Sequence, residues 1–243
     1  MTLALLDHLF VIIVLLLIFP VVGWWSYQRF KKQALRIGEP ALLREYRLTL
    51  VWLGALLAAT VALWVDMGRA LTGLVTREPI WGLDSLATGL AVGMGAMILV
   101  RPLWIAASRK MADQFAQAVG DLALFLPKSG RALRWGLLVS VAAGVAEEIA
   151  YRGYLLPYFE AMLPAWAAIA ASSMLFGLAH AYQGAGGVVV TGLLGAIFGV
   201  IFVTTGSLLL PVLLHALVDV SSMITAYLAL RNRPEATAAT ANA

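Results

Sequence analysis

The 243-residue chain has no cysteine, and only 12% of it is Asp, Glu, Lys or Arg. Without cysteine there is no disulfide, no thiol nucleophile and no thiolate metal ligand. A soluble domain is about 25% charged and about 45–50% apolar. Here 62% of the residues are hydrophobic. Departures of that size in both directions exclude an ordinary soluble globule and a disordered chain. No internal repeat with a period of 20–50 residues is present, which excludes solenoids and propellers. A formal charge of +4 does not point to nucleic acid, because the basic residues cluster beside apolar runs, as they do on the cytoplasmic face of a membrane.

What is present is a series of apolar stretches. A hydrocarbon core of ~30 Å is crossed by about 20 apolar residues of helix. Seven stretches qualify: 7–25, 48–66, 84–106, 135–157, 164–181, 187–204 and 207–230. The sequence therefore predicts an all-α, polytopic membrane helix bundle with seven membrane helices, or eight. The first stretch has no basic flank before it and ends in Gly23-Trp24-Trp25, so it reads as a retained helix and not as a cleaved signal. Residues 26–47 hold six Lys and Arg, and residues 101–134 hold six more. Residues 67–83 hold only Arg69 and Arg77, while Arg231 and Arg233 follow the last stretch. Seven spans with the N-terminus outside place every basic-rich segment and the C-terminus in the cytoplasm. On this reading residues 26–47 are a cytoplasmic connector. Residues 107–127 form an amphipathic helix on the inner leaflet, with Met111, Phe115, Leu122 and Leu126 on its apolar face. Gly89/Gly93 and Gly195/Gly199 have the small-residue spacing that lets membrane helices approach closely.

Ionisable residues inside spans are costly and therefore informative. The first three spans have almost none at their centres. The later ones carry Glu147, Glu148, Arg152, His180, His215 and Asp219. A charged residue at a helix centre costs about 2.5–3.5 kcal/mol on insertion, so six within one part of the chain point to function. Glu148 and Arg152 are i, i+4 and can pair, as can His215 and Asp219. Glu147 and Glu148 stand about 100° apart on a helix, which predicts that they point to different places. Counted along the helices, Glu147 and His215 lie near mid-depth and His180 lies nearer the cytoplasmic edge. Ser173 shares a helix face with His180, and a Ser–His dyad is a minor alternative.

Three segments together resemble a known family. Glu147-Glu148-Ile149-Ala150-Tyr151-Arg152, Phe176-Gly177-Leu178-Ala179-His180 and His215-Ala216-Leu217-Val218-Asp219 match, in order, the Glu-Glu-x-x-x-Arg, Phe-x-x-x-His and His-x-x-x-Asn/Asp motifs of the CAAX-protease and bacteriocin-processing (CPBP) intramembrane proteases. The resemblance implies an intramembrane endopeptidase that hydrolyses a peptide bond in a membrane-embedded or lipid-anchored polypeptide. In it, Glu147 activates a water with help from His180, and His215 stabilises the oxyanion. Glu148 and Arg152 act as a supporting pair. Asp219 is either protonated or orients His215, since an ionised carboxylate only accepts hydrogen bonds. Glu147, His180 and His215 also make a two-His-one-Glu set that zinc could use, although His-Glu-x-x-His is absent. Gly-x-Ser-Gly and Gly-x-Gly-Asp are absent too, which disfavours the intramembrane serine and aspartyl chemistries.

The expected organisation is an N-terminal membrane unit over residues 1–130, a catalytic helical core over 131–230 and a flexible tail over 231–243. The expected setting is the lipid bilayer of a bacterial inner membrane, with no nucleic-acid partner. Two readings compete with the protease. Intramembrane Glu, His, Asp and Arg also mark ion- or proton-coupled transporters, and a non-catalytic membrane immunity or partner protein could carry a degenerate site.

Overall fold

The computed structural model describes residues 3–80, 82 and 84–232, so Arg233 and the tail at 234–243 lie outside the described residues. All seven apolar stretches are helical. The first helix runs unbroken from Leu5 to Ile37, as α1 (Leu5–Leu9), a π-helical stretch (Phe10–Ile18) and α2 (Phe19–Ile37). It is followed by α3 (Glu39–Asp66), the four-residue α4 (Thr72–Val75), α5 (Asp84–Ala107) and α6 (Arg109–Ala118). Next, α7 (Gly130–Glu148) passes through a π-helical turn (Ile149–Leu155) into α8 (Leu156–Glu160). The chain ends with α9 (Ala165–Ala179), α10 (Gly184–Thr205) and α11 (Leu209–Leu230). The bundle is all-α among the described residues, apart from one isolated bridge between Thr76 and Ser207.

Five helices are long and apolar enough to cross a membrane: Leu5–Ile37, Glu39–Asp66, Asp84–Ala107, Ala181–Thr205 and Leu209–Leu230. Leu99, Leu103, Trp104, Trp166 and Val189 turn outward, as side chains do where the surrounding solvent is lipid. This is an integral membrane protein. The other two expected spans differ. α9 has 15 residues, ~22 Å of helix, and the helix through Glu147 carries the charged groups described below.

Residues 26–47 are not a connecting loop. They complete α2 and begin α3, and only Gly38 interrupts them, at φ +62°. Glycine adopts that conformation without the steric cost of a Cβ, and Pro40 follows at the start of α3, where its missing N–H costs nothing. The Lys and Arg residues here favour helix as much as loop, so charge alone did not reveal the hairpin.

The amphipathic helix is shorter than its pattern suggested, because Ser108 caps it through a bond from Met111 N (3.4 Å) and it ends at Ala118. Met111, Phe115 and Leu126 pack on Ile105, Ala226 and Leu230. Its apolar face thus meets α5 and α11 as well as the surroundings.

α7 packs between α3 and α11, and α9 runs along α10. Glycine sets the approach of α7 to α11: a Cβ on Gly144 would stand 2.8 Å from the backbone N of Ala216. That contact lies one turn before Glu148 and one residue after His215, so it fixes the spacing of the two motif helices. Gly195 and Gly199 also pack closely, against Arg152 and Ile169, whereas Gly89 and Gly93 face open space.

Candidate active site

Three helices bring the motif residues together. Glu147 and Glu148 end α7, His180 stands where α9 stops, and α11 carries the buried His215 and, one turn on, the more exposed Asp219. Oε2 of Glu147 lies 3.9 Å from Nε2 of His180 and 3.8 Å from Nε2 of His215. It accepts no hydrogen bond from a described residue. Nε2 of His215 is also 3.7 Å from Oδ2 of Asp219. His180 therefore reaches the site despite its shallower count along the helix. Its ring folds back on its own helix, where Nδ1 sits 2.8 Å from the carbonyl of Phe176.

That bond fixes the tautomer of His180. A carbonyl only accepts, so Nδ1 carries the proton and Nε2 offers a lone pair toward Glu147. His215 is held differently. Its Nδ1 donates to Oε1 of Glu148 at 2.8 Å, and its ring stacks on Phe198, with centroids 5.1 Å apart and planes inclined by 15°. The two glutamates thus do address one group: Glu148 holds one ring nitrogen of His215 and Glu147 faces the other. The expectation that they point apart is correct for a helix, but an imidazole has two nitrogens on different edges and bridges the angle.

Oε1 of Glu148 also accepts from Nη1 of Arg152 at 2.7 Å, and both side chains are fully buried. Arg152 lies over the rings of Phe176 (4.4 Å) and Phe198 (5.4 Å). These aromatic faces compensate part of its lost hydration. A Cβ on Gly195 would come within 2.8 Å of its Nη2, so only glycine lets α10 close over the guanidinium. Phe198 has no distinguishing mark in an apolar run, and sequence reasoning missed it.

Glu147 and His180 line a cleft of about 900 Å³ including its mouth. Its opposite wall comes from α2 and α3, which carry none of the motifs, and includes Tyr27, Glu45 and Trp52. Ser173 is buried and lies against Gly195 on α10, with no hydrogen bond from its Oγ to a described residue. Among the described residues no group of three His, Asp or Glu is arranged to hold a metal ion.

A second polar network lies beyond the π-helical turn. Asp7 is fully buried and takes two bonds from Arg69 (2.8 and 2.6 Å) and one from the hydroxyl of Tyr154 (2.6 Å). His8 Nδ1 and the Tyr158 hydroxyl are hydrogen-bonded at 2.7 Å. The bonds that Arg69 donates to Asp7 raise its affinity for its proton. Asp7 at the edge of an apolar helix was the sequence signal for this clamp, and its partners were not readable.

Residues 129–221 match the family described as Type II CAAX prenyl endopeptidase Rce1-like. The matched segment begins just before α7, ends just after Asp219 and contains all three motifs. No curated protein and no solved structure matches the chain significantly.

Proposed function

Because residues 129–221 belong to the CAAX-protease family, we propose that this protein is an intramembrane endopeptidase whose water is activated by Glu147. The arrangement that carries this reading is one carboxylate oxygen set 3.9 and 3.8 Å from two imidazole nitrogens on different helices. A water beside this oxygen can hydrogen-bond to Glu147 and reach toward the imidazoles. Glu147 takes its proton as the water oxygen bonds to the scissile carbonyl carbon. The lone pair on Nε2 of His180 accepts a hydrogen bond from the hydrogen that stays on the water oxygen and aims the attack. The carbonyl oxygen becomes an oxyanion. His215 already donates from Nδ1 to Glu148, so it donates from Nε2 only as an imidazolium, and in that form it stabilises the oxyanion. Glu147 then passes its proton to the leaving amine as the C–N bond breaks. Glu148 and Arg152 are positioning residues that hold His215. Asp219 faces Nε2 of the same ring and orients it.

In this reading α7 and α9 also lie in the bilayer, which gives seven spans, and the basic ends of α2, α3, α5 and α6 mark the cytoplasmic side of a bacterial inner membrane. The N-terminus is outside and the C-terminus inside. Residues 131–230 form the catalytic unit, and residues 1–130 complete its cleft. The substrate is a membrane-associated polypeptide, which is how the family acts. The test is to map new termini in native membranes that express the wild type or Glu147→Gln. Termini that depend on Glu147 support the reading. None, with both proteins folded, overturns it.

A further inference from the structure

The wall of the cleft opposite Glu147 carries an acid that the mechanism does not use. Glu45 is half-buried on α3. Its Oε1 accepts from the hydroxyl of Ser26 at 3.1 Å, which leaves Oε2 without a hydrogen bond among the described residues. Thr49, one turn on, gives its hydroxyl to the Glu45 backbone carbonyl and not to the carboxylate. Arg44, the preceding residue, acts on Glu45 only through its charge and forms no ion pair with it, and other nearby cations are engaged elsewhere. Lys31 pairs with Asp121, Arg29 lies over Trp25, and Arg47 lies over Trp135. The cleft lining therefore contains two carboxylates and one imidazole but no Lys or Arg. Tyr27, Trp52 and Phe125 belong to the same lining.

A carboxylate with a free oxygen in an aromatic-walled cleft is built to take a cation. A Lys or Arg side chain lays its alkyl stem on aromatic rings and directs its charged head to the acid. We propose that Glu45 is a specificity-determining residue, which receives a basic side chain of the substrate polypeptide flanking the bond to be cut. This rests on the protease reading, because it makes Glu147 and Glu45 two ends of one substrate cleft. It assigns a role in substrate choice to the N-terminal helices, which lie outside the matched family segment.

The experiment uses the full-length protein in nanodiscs and internally quenched apolar peptides. The peptides differ only in lysine, norleucine or glutamate at one position, scanned along the sequence. The readout is the ratio of kcat/KM for the lysine and norleucine peptides, which does not depend on the folded fraction. The wild type prefers lysine by about tenfold at one position, the size of one charge-assisted hydrogen bond. Glu45→Gln brings the ratio to near one, mainly through KM, and Glu45→Lys turns the preference to glutamate. A second arm measures binding of the lysine peptide to Glu147→Gln, with and without Glu45→Gln, where about a tenfold weakening is expected. Cleavage with an unchanged ratio in Glu45→Gln overturns the subsite and leaves the protease intact. A binding preference set by Glu45 without any cleavage by the wild type overturns the protease and leaves the subsite. Neither cleavage nor a preference overturns both.

Discussion

Nδ1 of His215 lies 2.8 Å from Oε1 of Glu148, the same oxygen that receives Arg152 at 2.7 Å. One buried carboxylate oxygen thus holds a cation on one side and fixes an imidazole on the other. Removing its charge should change the fold as well as the chemistry, because Arg152 is left buried without its counter-ion. Glu148→Gln keeps the shape but lets Nδ1 of His215 lose its anionic acceptor. We expect kcat to fall about 10²–10³-fold with KM little changed, the size seen when an oxyanion donor is lost. A drop confined to KM would show that Glu148 acts on substrate binding instead.

Arg152→Ala is the opposite case. It leaves Glu148 buried without its counter-ion, and breaking a buried pair costs about 3–5 kcal/mol. We expect a clear fall in the unfolding midpoint in detergent, as for Glu148→Gln, which leaves Arg152 buried without its counter-ion. Equal thermal stability of Arg152→Ala and wild type would contradict the pairing.

Helix approach is equally testable. Alanine at Gly195 places a methyl 2.8 Å from Nη2 of Arg152, and alanine at Gly144 places one 2.8 Å from the backbone N of Ala216. Overpacking of this kind costs about 1–3 kcal/mol. Both variants should lose stability and activity, while alanine at Gly89, which faces open space, should be indistinguishable from wild type in both assays.

The two histidines should respond differently to a change of chemistry. His180 contributes a lone pair, which the amide oxygen of Gln can supply in part, so His180→Gln should retain roughly tenfold more activity than His180→Ala. His215 must donate from two nitrogens on different edges of a ring, which Gln cannot imitate, so His215→Gln and His215→Ala should be equally impaired. Parity of the two His180 variants in steady-state cleavage would remove the lone-pair role.

The donors of the site are not arranged as a metal set among the described residues, and Glu147 alone is asked to take the proton from water. Cleavage should therefore survive dialysis against 1,10-phenanthroline. Loss of cleavage that zinc restores, read together with metal content, would replace the bare glutamate by a metal centre.

Much of this was legible in the sequence. Apolar runs of membrane length revealed the helices, and three spaced motifs located Glu147, His180 and His215. The limits were physical. A basic stretch looks alike whether it is loop or helix, so the charge pattern of residues 26–47 does not show that the connector is the α2–α3 hairpin around Gly38. Helical spacing says which residues share a face but not which nitrogen of an imidazole meets which acid, so the bridge from Glu147 through His215 to Glu148 was hidden. Phe198 and Glu45 have no local pattern at all; only tertiary packing puts one against an imidazole and the other in the same cleft as Glu147.

The most direct test of the account is single-turnover cleavage of a membrane-tethered polypeptide in H₂¹⁸O by the wild type and by Glu147→Gln. We predict one ¹⁸O atom in the new carboxylate and a loss of about 10³-fold or more in rate for the variant, within the range for a general base. An unchanged rate in Glu147→Gln would contradict the central claim.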